Sequence, residues 1–85
     1  MVTKFTYPVV FILNEETKYY NGYIPDLAIF AEGQTPEEVY GELEIIITNF
    51  AHLAKKYNTE VPEPSTLDEI VKKWPRYKVS LISAS

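Results

Sequence analysis

The apolar positions of this chain change period as the sequence is followed. From Lys4 to Leu13 they alternate, with Phe5, Tyr7, Val9, Phe11 and Leu13 on one face and Thr6, Val10 and Ile12 on the other. A first strand is predicted over 4–13. It is placed centrally in a sheet because both of its faces turn apolar. Pro8 opposes that place, since proline cannot donate to a ladder, and a bulge there would reconcile the two. The polar run Asn14-Glu15-Glu16-Thr17 reads as a turn. Lys18 to Ile24 reads as a second, tyrosine-rich strand, with a bulge or kink at Asn21-Gly22. Pro25-Asp26-Leu27 breaks it, and Ala28 to Glu32 is a short third strand.

The period then lengthens. Thr35 is a helix cap, Pro36 occupies the first helical position, and Glu37 and Glu38 put negative charge in the first turn. Glu38 can complete a capping box with Thr35. Val39, Leu43, Ile46, Phe50, Leu53 and Tyr57 follow at steps of four and three, on one stripe of a long helix within 33–57. Ile47, Ala51 and Ala54 widen the stripe. A connector stiffened by Pro62 and Pro64 leads to a second cap at Ser65-Thr66, with Asp68 and Glu69 placed for a capping box. Leu67, Ile70, Val71 and Trp74 share one face of a short helix that Pro75 ends. Tyr77, Val79 and Leu81 alternate in a last strand, with 83–85 as a frayed tail.

The fold class is therefore α+β, in the order β-β-β-α-(α)-β. The expected sheet has four strands in the order 3-2-1-4, with strand 4 parallel to strand 1 and the helices packed on one face. The other face, carrying tyrosines, is left open.

Composition narrows the function. Eighty-five residues make one domain. The absence of cysteine removes disulfides and thiolate chemistry and fits a cytoplasmic location. No apolar run approaches the ~20 residues of a membrane span, and no signal-peptide pattern is present. A net charge of −4 argues against direct nucleic-acid binding by this chain and suits a basic protein partner.

Three segments resemble the antitoxin HicB family. They are Tyr23-Ile24-Pro25-Asp26-Leu27, Glu32-Gly33-Gln34-Thr35-Pro36-Glu37-Glu38, and Pro62-Glu63-Pro64-Ser65, with Tyr7-Pro8-Val9-Val10-Phe11 similar to that family's first strand. The resemblance spans roughly Lys4 to Thr66. It implies a partial ribonuclease H-like fold and a small basic toxin partner, a HicA-like mRNA interferase of double-stranded-RNA-binding fold, which the antitoxin neutralises. Two departures stand out. Ala28-Ile29-Phe30 replaces the family's usual Pro-Gly-Cys. No DNA-binding segment of helix-turn-helix or ribbon-helix-helix type follows the last strand, so no autorepression by this chain alone is expected.

The chemistry-bearing residues favour binding over catalysis. The predicted strands carry almost no carboxylates, so nothing suggests a Mg²⁺ site of the ribonuclease type. His52, the lone histidine, falls off the apolar stripe beside Lys55 and Lys56 and reads as solvated surface. Tyr19, Tyr20, Tyr23 and Tyr77 could stack on bases, yet only Lys18, Arg76 and Lys78 are expected close to them, so they read better as sheet and interface tyrosines. The expectation is a protein that is not an enzyme, with no catalytic residue, metal or cofactor. It occludes the toxin's active site through Tyr20, Tyr23, Asp26, Phe30 and Glu32, with Glu15 and Glu16 as steering charges. The alternative is a stand-alone interaction module with no toxin partner. A homo-oligomer, in its simplest form a dimer, is expected in either case. Phe30 at a sheet edge and Ile45 off the helical stripe are candidate subunit contacts.

Overall fold

Strand β1, Thr6–Leu13, forms the centre of a sheet that is antiparallel throughout. It pairs with β2, Tyr20–Ile24, from Val10↔Tyr23 to Leu13↔Tyr20. On its other side it pairs with β4, Lys78–Ser83, from Thr6↔Ser83 to Phe11↔Lys78. β3, Ile29–Gly33, pairs with β2 and closes the order β3-β2-β1-β4. Two helices, α1 at Pro36–Lys56 and α2 at Leu67–Lys73, connect β3 to β4. This computed structural model describes residues 5–84.

The predicted sheet order holds, and the sense of β4 is corrected. β4 runs antiparallel to β1 because the crossover has two legs. α1 carries the chain along the sheet, and the connector and α2 carry it back before β4 begins. Neither expected bulge forms. Pro8 pairs in unbroken register with Leu81, at a level where β1 has β4 but not yet β2 beside it, so the missing donor leaves no gap in a two-sided ladder. Asn21-Gly22 runs straight through β2, with Gly22 opposite Phe11 and Ala31. Ser83 is paired with Thr6, and the Ala84 amide bonds to the Phe5 carbonyl at 3.0 Å, so the expected frayed tail is ordered to Ala84. Ser85 lies outside the described residues.

α1 begins as its sequence dictates. The Thr35 hydroxyl accepts from the Glu38 amide at 3.2 Å, and Pro36 fills the first helical position. The Glu38 carboxylate reaches back one residue beyond the cap, to the Gln34 amide at 3.0 Å, so the expected capping box is shifted. The helix ends on Asn58 in left-handed conformation, φ 50°, with Thr59 N bonded to Ala54 O and Asn58 N to Lys55 O. This double pattern satisfies two last-turn carbonyls.

The buried line of α1 is Val39, Leu43, Ile47, Ala51 and Ala54. The expected stripe is rotated, because Ile46 and Phe50 lie at its margin while Leu53 and Tyr57 are exposed. The Val39 line settles on Phe5, Tyr7, Val9 and Phe11 of β1, Ile24 of β2 and Ile82 of β4. Gly22 permits the close approach. A Cβ there would lie 2.4 Å from Val39 Cγ1 and 2.7 Å from Leu43 Cδ1.

The expectation of both helices on one face is corrected for α2. Strand alternation sends Gly22 and Ile24 to the α1 side and Tyr23 to the opposite side. Trp74, the C-cap of α2, packs on Tyr23. Ile70 and Val10 are both fully buried yet lie outside the α1 core, and α2 packs on β4 and β1. The connector rounds the end of the sheet. There, Tyr7 donates to the Pro62 carbonyl at 2.8 Å, and Ser65 bonds to Asp26. α2 carries the full capping box between Thr66 and Glu69 that its sequence predicts.

Candidate partner-binding surface

The five residues expected to meet a partner do not form one cluster. Tyr23, Phe30 and Glu32 leave the sheet on the α2 side, where Tyr23 pairs with Phe30 and Glu32 with Asn21. β3 is an edge strand, so its outer backbone is free to pair. Phe30 is 66% exposed and stacks on the half-buried Tyr23, with centroids 4.5 Å apart and planes 23° from parallel. Trp74 meets the other side of Tyr23 edge-on at 6.0 Å, and Tyr77 meets Trp74 at 6.0 Å. Four rings therefore stand in series from the β3 edge to the start of β4. Glu32 is exposed beside the Phe30 end.

Tyr20 points the other way. It packs at the edge of the α1 core and lines an open cleft at the end of the sheet. Asp26 sits in the β2–β3 turn with both carboxylate oxygens engaged, accepting from the Ser65 amide at 2.9 Å and the Ser65 hydroxyl at 2.6 Å. That is a structural tether, and it explains why Pro25-Asp26 and Pro64-Ser65 occur in one sequence. Glu15 is bound to Lys18 at 3.3 Å on the turn before β2. Glu16 is exposed on the same turn.

Two groups have shifted titrations. The Tyr7 hydroxyl is pushed above 10.0 by burial and, secondarily, by the negative charge of Asp26. The Glu69 carboxyl is held below 4.5 by the Thr66 amide first and the Thr66 hydroxyl next. Both shifts belong to the fold rather than to a reacting centre. His52 is exposed on α1, as its spacing suggests. Among the described residues, no three or more His, Asp or Glu side chains come together in a way that could hold a metal ion. Among the described residues no helix is long and apolar enough to cross a membrane.

Comparison with solved structures identifies the architecture. The crystal structure of the N-terminal domain of Burkholderia pseudomallei antitoxin HicB superposes with a TM-score of 0.80, covering 95% of this chain and 99% of that one at 16% identity. The chain has a HicB-like fold. No protein-family model and no curated protein matches the sequence. The likeness is thus one of backbone architecture across nearly the whole of both chains.

Sequence reasoning missed the ring series because it joins elements far apart in the chain. Lys72 and Lys73 belong with Arg76 and Lys78 in one basic stretch. The run from Lys72 to Lys78, with Trp74 and Tyr77 inside it, was the available signal.

Proposed function

We propose that this chain is an antitoxin-like binding protein that docks on a small basic ribonuclease toxin, of the HicA-like mRNA interferase kind, and covers its active site. The observation that carries the reading is the HicB N-terminal-domain fold across 95% of the chain. The acidic balance supports it, since a net charge of −4 attracts a basic partner and speeds encounter. In this reading the chain is cytoplasmic, performs no reaction itself and needs no cofactor. Phe30 and Glu32 on the open β3 edge are the leading contacts, with Tyr23 beneath Phe30. Tyr20, on the opposite face, and Asp26, in the β2–β3 turn, are further contacts in this reading, and Glu15 and Glu16 act as steering charges. An exposed aromatic ring over a half-buried one is the kind of anchor that dominates interfaces.

A second reading is a self-associating module with no toxin partner. Ile45, Leu53 and Tyr57, exposed by 65%, 51% and 66% on α1, favour a contact between copies. Co-expression separates the two. The antitoxin reading predicts that a small basic ribonuclease is encoded beside this chain, that it arrests growth when made alone, and that growth resumes when this chain is made with it. The Phe30→Lys variant, folded by circular dichroism, should rescue less well. Persistent arrest with both proteins present in the cell would count against the antitoxin reading.

A further inference from the structure

Half of the positive charge of this acidic chain stands in seven residues. Lys72, Lys73, Arg76 and Lys78 are four of its eight Lys and Arg, and Trp74 and Tyr77 are interleaved with them. All four cations are exposed. Among the described residues the one salt bridge joins Lys18 to Glu15, and none of these four takes part in one. Glu69, the carboxylate on which Lys73 acts, is already bonded to Thr66. An unpaired cluster of this kind, in a chain with a surplus of acids, calls for an anionic ligand.

The structure supplies the shape of that ligand. Tyr77 and Trp74 are 6.0 Å apart, and Tyr23 continues the series a further 6.0 Å on. Tyr77 is 43% exposed and Trp74 half-buried, so the outer end of the series offers ring surface. At Tyr77 the series opens into a cleft of about 460 Å³ at the end of the sheet. Phe11, Tyr20 and Tyr77 supply its apolar wall, and Arg76 and Lys78 its charge. Glu15 also borders the cleft, but Lys18 holds it at 3.3 Å.

The geometry points to a binding site for single-stranded nucleic acid, running from the Trp74 end of α2, over Tyr77, into the cleft beside Tyr20. Bases stack on the rings, a contact worth about 1–3 kcal/mol per base that tolerates any sequence. The four cations take the phosphates. An acidic peptide would satisfy the charge but leave the ring series unused. A duplex hides its base faces within its own stack. The overall negative charge does not oppose the site. Charges farther away than about 8 Å are screened at physiological salt, and the local field is set by the four cations. The site shares Tyr20 and Tyr23 with the candidate partner surface, but its four cations, Trp74 and Tyr77 lie outside that surface, and the observations behind it do not rest on the antitoxin reading.

Trp74 is the only tryptophan, beside seven tyrosines, so fluorescence excited at the red edge, beyond tyrosine absorption, reports on this site. Titration of the full chain with oligo(U) should quench it to saturation. The dissociation constant should lie in the non-specific range, about 10⁻⁶ to 10⁻⁴ M. Four phosphate contacts set the salt slope, log K against log salt, at about −3. The double variant Arg76→Ala/Lys78→Ala, both exposed and therefore folded, should weaken binding about tenfold and flatten the slope by about 1.4. Tyr77→Ala should weaken it with the slope unchanged. Absence of quenching by oligo(U) at low salt would overturn the proposal. So would equal quenching by polyglutamate of the same length, or unaltered binding by the Arg76→Ala/Lys78→Ala variant.

Discussion

The carboxylate of Asp26 grips Ser65 with both oxygens, at 2.9 Å to the amide and 2.6 Å to the hydroxyl, across 39 positions of sequence. The bond ties the β2–β3 turn to the residue before the α2 cap. It fixes where the connector crosses from the α1 face to the other side of the sheet. Asp26→Ala should destabilise the domain by about 2 kcal/mol, as expected for a charged acceptor losing two donors, and Ser65→Ala by about 1 kcal/mol. The double variant should resemble Asp26→Ala alone, because the two residues share one interaction. Urea unfolding of the four proteins checks this, and strictly additive effects would contradict it.

Two glycines should respond to alanine with opposite sign. At Gly22 the new methyl would meet Val39 Cγ1 at 2.4 Å, and valine has little freedom to turn away. Gly22→Ala should cost about 1–3 kcal/mol by forcing α1 off the sheet. Gly41 lies within α1 with nothing inside 4 Å of its added Cβ. Gly41→Ala should stabilise by about 0.5–1 kcal/mol through helix propensity. Thermal melts of the two variants should move in opposite directions.

Tyr7 gives the fold an alkaline limit. Burial raises its pKa above 10.0, so the folded and unfolded chains carry the same neutral phenol below that value and its contribution is complete there. As pH rises past 10.0 the unfolded chain ionises first, and this stability is lost as pH approaches the raised folded value. Tyr7→Phe removes the hydrogen bond to Pro62 and should cost about 1 kcal/mol at neutral pH. It should also lose less stability than the wild type between pH about 9 and about 11. Denaturant melts across that range compare the two slopes.

Much of the fold was legible because local signals agreed with one another. Thr35-Pro36-Glu37-Glu38 marked the start of α1, Thr66 and Glu69 marked α2, and the alternation of Phe5, Tyr7, Val9 and Phe11 gave the core face of β1. The sheet order followed from the order of elements. What escaped depended on contacts between distant segments. Gly22 read as a kink because its partner, the α1 surface, is invisible in the neighbouring residues. The α1 stripe was placed about one position off centre, since Leu53 and Tyr57 are as apolar as Ala51 and Ala54 but sit beyond the reach of the sheet. The sense of β4 and the face of α2 were hidden for one reason. The connector that rounds the sheet is held by Asp26–Ser65 and Tyr7–Pro62, pairs separated by 39 and 55 positions. Of the candidate surface, Phe30 and Glu32 could be placed on an edge from sequence, while their alignment with Tyr23 and Trp74 could not.

Affinity purification of the tagged full chain from its native host, with mass spectrometry of the co-eluting proteins, tests the antitoxin account most directly. The account predicts one small basic ribonuclease in near-equal amount to the chain, lost when Phe30→Lys and Glu32→Lys are introduced together. Recovery of the chain with only further copies of itself, from cells shown to make the neighbouring small protein, would contradict it.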